Sequence, residues 1–489
     1  MDVDYLREAL RADAQLAGEP EPDLYERVRA RRQRSDRRRL SALAAGLAAL
    51  LVGVAVPAGL SLSGNNEDQN VAGPSAPEAD IFGVPTRGSL ANDTSFLDAV
   101  RRLSWEVPGV EVGAGELQIP NPPVETRSVV FAGDVAAGRW ALVVGPNTAR
   151  PTGDAADPDV QTDMGALSDI AAAWFVGPPG ATPEQMLLSV FPRGIAPDQP
   201  ASLYDGASGA LVVVAAPGDD IEISARPEVA ADATVSRSYL DAGASGGVAV
   251  AAVETNPFEG GGPPAVQYRV TRAGAVVAEQ IPDGYSAPAG LAITYVELDY
   301  LRQPVETQPG DPTGLEQEIA ARILSEYGLR PDQLHLQVHY VGPLPGVGEL
   351  PAGLTVVTAT FPSGAVLTRA EWKQQDSAPQ LPTGATFVGG QCTNEMSAAG
   401  LPAAQRVIAL RCDVRSGRDQ ASAASSLVVL SPPELGGSYA TVEVSPETFM
   451  LFMLSEAGVA MAQFPDGAQV VLIHAADGTI LSEVPISAP

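Results

Sequence analysis

Lysine is nearly absent from this chain: Lys373 stands alone against 29 arginines, and Ala, Gly and Val are heavily used, the coding bias of a GC-rich genome. In AEWKQQ, Lys373 has no serine at a spacing that would make a nucleophilic pair. Two cysteines and three histidines exclude a zinc knuckle, and no phosphate loop, dinucleotide fingerprint or calcium loop is present. Positive charge is also scarce: 30 basic residues face 59 acidic ones, for a net charge of -29. A nucleic-acid footprint needs a basic face, so nucleic acid is not an expected partner. The same excess disfavours anionic polymers and anionic lipid.

The chemistry that remains is thin. His335 and His339 sit in LHLQVHY with Gln337 between them, on one face of an expected strand, and are expected to be exposed there. They would bind a metal only if carboxylates converged from elsewhere, and His474 is alone, so no metal or cofactor is expected. Residues 243–247, GASGG, match G-x-S-x-G formally, but a strand rather than a helix follows Ser245, which points to a plain turn. The pairs Asp219-Asp220 and Glu297/Asp299 lack the aromatic platform of a sugar cleft. Trp105, Trp140, Trp174 and Trp372 are expected in the core. No catalytic residue is assigned, and the expectation is a non-enzyme. Cys392 and Cys412 are expected to form a disulfide closing a loop worth about 3 kcal/mol, with free thiols as the alternative.

Residues 40–62, LSALAAGLAALLVGVAVPAGLSL, carry no charged, Asn or Gln side chain. At ~1.5 Å per residue they would reach about 34 Å, enough for a hydrocarbon core of ~30 Å. Arg37, Arg38 and Arg39 precede the run, so a single-pass anchor with its N-terminus inside the cell membrane and its large C-terminal region extracytoplasmic is expected. A cleaved export signal is the rival, with Val56-Pro57-Ala58 as a cleavage site. Residues 1–39 hold ten Arg and nine acidic residues; the rest of the chain holds 20 basic and 50 acidic. In this tail Val3, Leu6 and Leu10 form one narrow helical stripe, and Leu24, Tyr25 and Val28 follow a capping-box start at Asp23. Two short stripes cannot bury a core alone, so the tail is expected either to pack on a cytoplasmic protein partner or to lie partly disordered at the lipid surface, where the arginine run sets orientation.

The pattern LREALRADAQ…DLYERVRARRQRSDRRR before an Ala/Leu/Val-rich span resembles the N-terminus of uncharacterised actinobacterial single-pass membrane proteins, some encoded beside extracytoplasmic-function sigma factors. The resemblance covers about 60 residues and implies a sigma factor as the tail's partner. The tail lacks the His and Cys of a zinc-binding anti-sigma site.

Residues 63–89 read as a polar stalk. Beyond it the same features come twice, which predicts a duplication: copy 1 over residues 90–285, a linker over 286–312, copy 2 over 313–489. Arg101-x-Leu103-Ser104 lines up with Arg322-x-Leu324-Ser325, and residues 129–132 with 356–359. LVVV at 211–214 matches LVVL at 427–430, and GVA at 247–249 matches GVA at 458–460. Each copy closes on a hairpin, at Gly274 and at Asp477-Gly478. The expected class is α+β: one transmembrane helix, then two tandem β-rich domains, each opened by a helix. The expected function is a non-enzymatic regulator or sensor binding an unknown extracytoplasmic ligand. The alternatives are an envelope scaffold with a purely topogenic tail and an exported hydrolase using Ser245 or His474.

Overall fold

The computed structural model describes residues 80–106, 119–136, 138–148, 168–189, 191–254, 264–282, 284–286, 295–305, 314–344, 352–375, 387–415, 423–445 and 448–487. The tail residues Val3, Leu6, Leu10, Leu24, Tyr25 and Val28, together with Arg37, Arg38, Arg39 and the run 40–62, lie outside the described residues.

In chain order the first half carries α1 (Thr94–Val100), β1 (Ser128–Val135), β2 (Gly138–Pro146), β3 (Ile170–Gly177), β4 (Leu187–Leu188), β5 (Arg193–Ile195), β6 (Ala201–Asp205) and β7 (Ala210–Val214). There follow β8 (Asp220–Ser224), β9 (Pro227–Val229), β10 (Val235–Arg237), β11 (Leu240–Asp241), β12 (Val248–Ala252), β13 (Gln267–Arg272), β14 (Ala275–Gln280) and β15 (Gly284–Ser286). The second half carries β16 (Asp299–Tyr300), α2 (Leu315–Tyr327), β17 (His335–Leu344), β18 (Ala352–Thr360), β19 (Val366–Gln375), β20 (Phe387–Ser397), β21 (Ile408–Arg415) and β22 (Ala423–Leu430). It ends on β23 (Tyr439–Ser445), β24 (Thr448–Met453), β25 (Val459–Gln463), β26 (Val470–His474) and β27 (Ile480–Pro485).

The two halves repeat one strand order. A front sheet runs β1-β2-β3-β4 in the first and β17-β18-β19-β20 in the second. A middle sheet runs β12-β7-β6 and β25-β22-β21, and a back sheet β11-β8-β13-β14 and β24-β23-β26-β27. Even the irregularities recur: the first strand of each front sheet carries a bulge, between Val129 and Phe131 and between Val338 and Tyr340.

Side-chain alternation stacks these sheets. In β2, Trp140, Leu142 and Val144 face the middle sheet, while Ala141 and Val143 join Phe96 and Val100 of α1. In β7, Val212 and Val214 face the front sheet, while Leu211 and Val213 face Ile221, Tyr268 and Val270 of the back sheet. The second half divides Val428 and Leu430 from Leu427 and Val429 in the same way. A middle strand buried on both faces needs an unbroken apolar run, which is why LVVV and LVVL show no period of two. The helix stripes serve the outermost cluster: Leu315, Ile319 and Ile323, four residues apart, pack on Leu336, Val338 and Val357.

Two expectations are corrected here. The class is mostly β, with two α-helices among the described residues, and neither half is opened by its helix. An extended segment comes first. Arg87 bridges Phe131 in parallel, β16 pairs in parallel with β17, and each precedes its helix. Residues assigned to the stalk and linker therefore belong to the fold, with Ile81 and Phe82 buried in the first half and Val296 in the second. The single-pass membrane localisation is not supported: among the described residues, which do not include 40–62, no helix is long and apolar enough to cross a membrane. The longer one, α2, has 13 residues, about 20 Å at ~1.5 Å per residue against a core of ~30 Å.

Smaller differences follow. Gly314, in a left-handed conformation, precedes α2 without a side-chain cap, whereas Asp93 does cap α1 by accepting the Phe96 N–H at 3.0 Å. Residues 129–132 and 356–359 lie in the first and second strands of their front sheets, so that alignment is out by one strand. The disulfide is present: buried Cys392 on β20 and Cys412 on β21 join the second front and middle sheets.

Candidate interaction site

The outermost back-sheet strand of the second half, β24, has the sequence TFMLFM and, among the described residues, pairs on one side only, with β23. Met450 and Phe452 stand opposite the core residues Val442 and Ala440; Phe452 packs on that core, while Met450 is 38 % exposed. Its outward residues are apolar too. Phe449, Leu451 and Met453 are 48, 57 and 68 % exposed.

The matching sheet of the first half shows what such a position ordinarily holds. One row across that sheet reads Asp241, Glu222, Arg269, Glu279. Arg269 bonds Glu222 at 2.9 Å, an ordinary solvated face. The same row in the second half reads Leu451, Thr441, Leu472, Glu483. The first half also keeps its edge strand to two residues, with a carboxylate on it, which is how natural sheets blunt an edge. The second half extends its edge to six residues and removes the charge.

The backbone of β24 is open in a definite pattern. The Leu454 N–H donates to Ser438 O at 3.1 Å, which turns residue 454 toward β23, while the Ser438 N–H goes to His474 O at 2.7 Å. In an antiparallel ladder this orientation alternates, so 452 and 450 bond to β23 while the N–H and C=O of 449, 451 and 453 point away from it. Open main chain and exposed apolar side chains thus coincide on the same three residues.

The residues singled out from the sequence take structural places. His335 is exposed beside Asp299 at 3.6 Å, and Gln337 donates to Asp299 at 3.1 Å. His339 is buried, contrary to the exposed position expected of it, because the face it shares with buried Gln337 and Thr358 is covered; its Nε2 lies 3.0 Å from Thr358 Oγ1. His474 stacks on Tyr439, with centroids 4.6 Å apart. Ser245 lies in the turn before β12 of the first half and His474 on β26 of the second, so the structure does not bring those two together on one sheet. Asp219 is buried against Arg272, Lys373 bonds Glu318 at 2.5 Å, and all four tryptophans are buried. No cluster of three His, Cys, Asp or Glu suited to a metal occurs among the described residues. A recess of about 270 Å³ beside Phe464 is lined by Arg411, whose guanidinium is already held by Asp413 at 2.8 Å.

Burial, with Arg302 nearby, pushes His339 down to about 3. An unfolded histidine titrates near 6.5, so its contribution is fully present above about pH 6.5 and is lost as pH falls towards 3. The slope is about 1.4 kcal/mol per pH unit, so the chain should lose about 2 kcal/mol between pH 7 and pH 5. Urea midpoints at the two pH values check this, and His339→Asn should remove most of the difference.

No protein-family profile, no curated protein and no solved structure matches this chain.

Proposed function

We propose that this is a non-enzymatic interaction protein built from two copies of one layered β domain, of which the second docks a partner at β24. The observation that carries the reading is the exchange at one row of equivalent sheets: Asp241 and the Arg269–Glu222 pair in the first half, Leu451 and the Leu472–Thr441 pair in the second. A fold that sets Asp241 and the Arg269–Glu222 pair on this row in one copy, and Leu451 and Leu472 in the other beside exposed Phe449 and Met453, has turned the second copy to binding, since exposed apolar strand edges are otherwise aggregation hazards. The tail residues Leu6, Leu10, Leu24 and Tyr25 are proposed as a second protein contact, with a sigma factor as the partner that the resemblance suggests.

A photo-crosslinking side chain tests both contacts in the cells that make the protein. At position 451 it should give a discrete adduct, at position 25 a different one, and at position 241 none. Identical adducts at 451 and 241, or none at 451, would contradict the docking role of β24.

A further inference from the structure

We infer that β24 takes an extended segment of a partner protein as an added strand, and that the segment alternates apolar residues with Lys or Arg. This rests on the reading of β24 as a docking edge and names what docks there. Main-chain groups of Phe449, Leu451 and Met453 face outward, and an added antiparallel strand is the ligand that pairs them. Five residues of such a strand cover about 17 Å at ~3.4 Å per residue, matching the stretch 449–453. Because side chains alternate, every second partner residue shares the outer face with Phe449, Leu451 and Met453, and these should be apolar.

The acidic balance of this part of the chain favours a basic segment. From residue 419 to 489 the chain carries eight acidic residues and no Lys or Arg. Among them Glu456 lies exposed three residues beyond the end of β24. A basic segment would meet complementary charge on arrival. A second copy of this chain would bring the same 419–489 stretch, with its carboxylates and no Lys or Arg, to the pairing of β24 with itself.

The probe is a fluorescein-labelled eight-residue peptide alternating valine and arginine, followed by anisotropy on the full chain. A peptide alternating valine and glutamate serves as the counter-probe. Leu451→Asp copies the residue that the first half tolerates at this position, and Leu451→Pro removes an outward N–H without touching the β23 ladder. Saturable binding to the native chain should weaken at least tenfold in both variants, and the counter-probe should not bind. General attraction to an acidic protein predicts the opposite for Leu451→Asp, which adds a negative charge: equal or tighter binding there overturns the inference. Sedimentation of the native chain should show a monomer, and a dimer abolished by Leu451→Asp would give the edge to a second copy and overturn it equally. An adduct at position 451 in cells, with no binding of the probe, would leave the docking role standing and remove strand addition alone.

Discussion

Arg302→Ala is expected to destabilise the chain by about 4 kcal/mol, more than any other replacement of a half-buried polar side chain in the second half. The guanidinium donates to three main-chain carbonyls on three elements: His339 of β17 at 2.9 Å, Ser431 after β22 at 2.7 Å, and Ala457 before β25 at 2.7 Å. It thereby joins the front sheet to the middle sheet. Charged hydrogen bonds are worth about 1.5–3 kcal/mol each, and part of that returns when water reaches the exposed end. Burial lowers the Arg302 pKa from its usual value, and the side chain stays charged at any ordinary pH. Arg302→Lys should recover less than half the loss, because an ammonium cannot span the three acceptors. Urea unfolding of the two variants against the native chain measures this, and a loss under 1 kcal/mol for Arg302→Ala would contradict it.

The first half has its own form of this clasp. Arg87 donates to Ala215 O at 2.6 Å, to Gly246 O at 3.3 Å and to Ile81 O at 2.9 Å. Ala215 and Gly246 hold the places of Ser431 and Ala457. In both halves the next residue is a glycine at positive φ, Gly247 and Gly458, where a Cβ would stand 2.2 or 2.0 Å from a carbonyl oxygen. Only glycine lets the loop approach the middle strand this closely.

The second large effect belongs to Arg272 and Asp219. Their side chains are 9 and 2 % exposed and form two parallel bonds of 2.9 Å. The same Asp219 carboxylate accepts the Ala216 N–H at 2.9 Å, closing the turn between β7 and β8. Arg272→Ala leaves that carboxylate buried without its cation, which costs about 3–5 kcal/mol. Neutralising the survivor relieves it: Arg272→Met with Asp219→Asn should recover at least half, since Asn keeps an acceptor for Ala216. Equal stability of the single and double variants would show that the ion pair is not the source of the loss.

These two arginines also mark where sequence reading runs out. The strands LVVV and LVVL, the closing hairpins and the disulfide are legible because local pattern or spacing determines each of them. The Arg302 clasp is not, since its acceptors are main-chain carbonyls that any residue supplies. His339 reads as exposed because strand periodicity gives its face, shared with Gln337 and Thr358, but not that this face is covered. The Val129 match slipped by one strand because Val/Ala strings recur wherever a sheet is covered on both faces. The helices open neither half because their stripes pack onto front sheets already begun by Arg87 and β16. TFMLFM reads in sequence like any doubly buried strand, and only its place at the end of a sheet turns it into a surface. Two signals were available beforehand: the repeat sets it against Leu240-Asp241, and residues 419–489 hold eight acidic residues without a Lys or Arg.

Residue-resolved amide hydrogen exchange across Thr448–Met453 in the free chain tests the open edge most directly. The amides of Phe449, Leu451 and Met453 should exchange quickly while those of Met450 and Phe452 stay protected. Protection of all five would mean that the edge is already covered, and would contradict β24 as a docking strand.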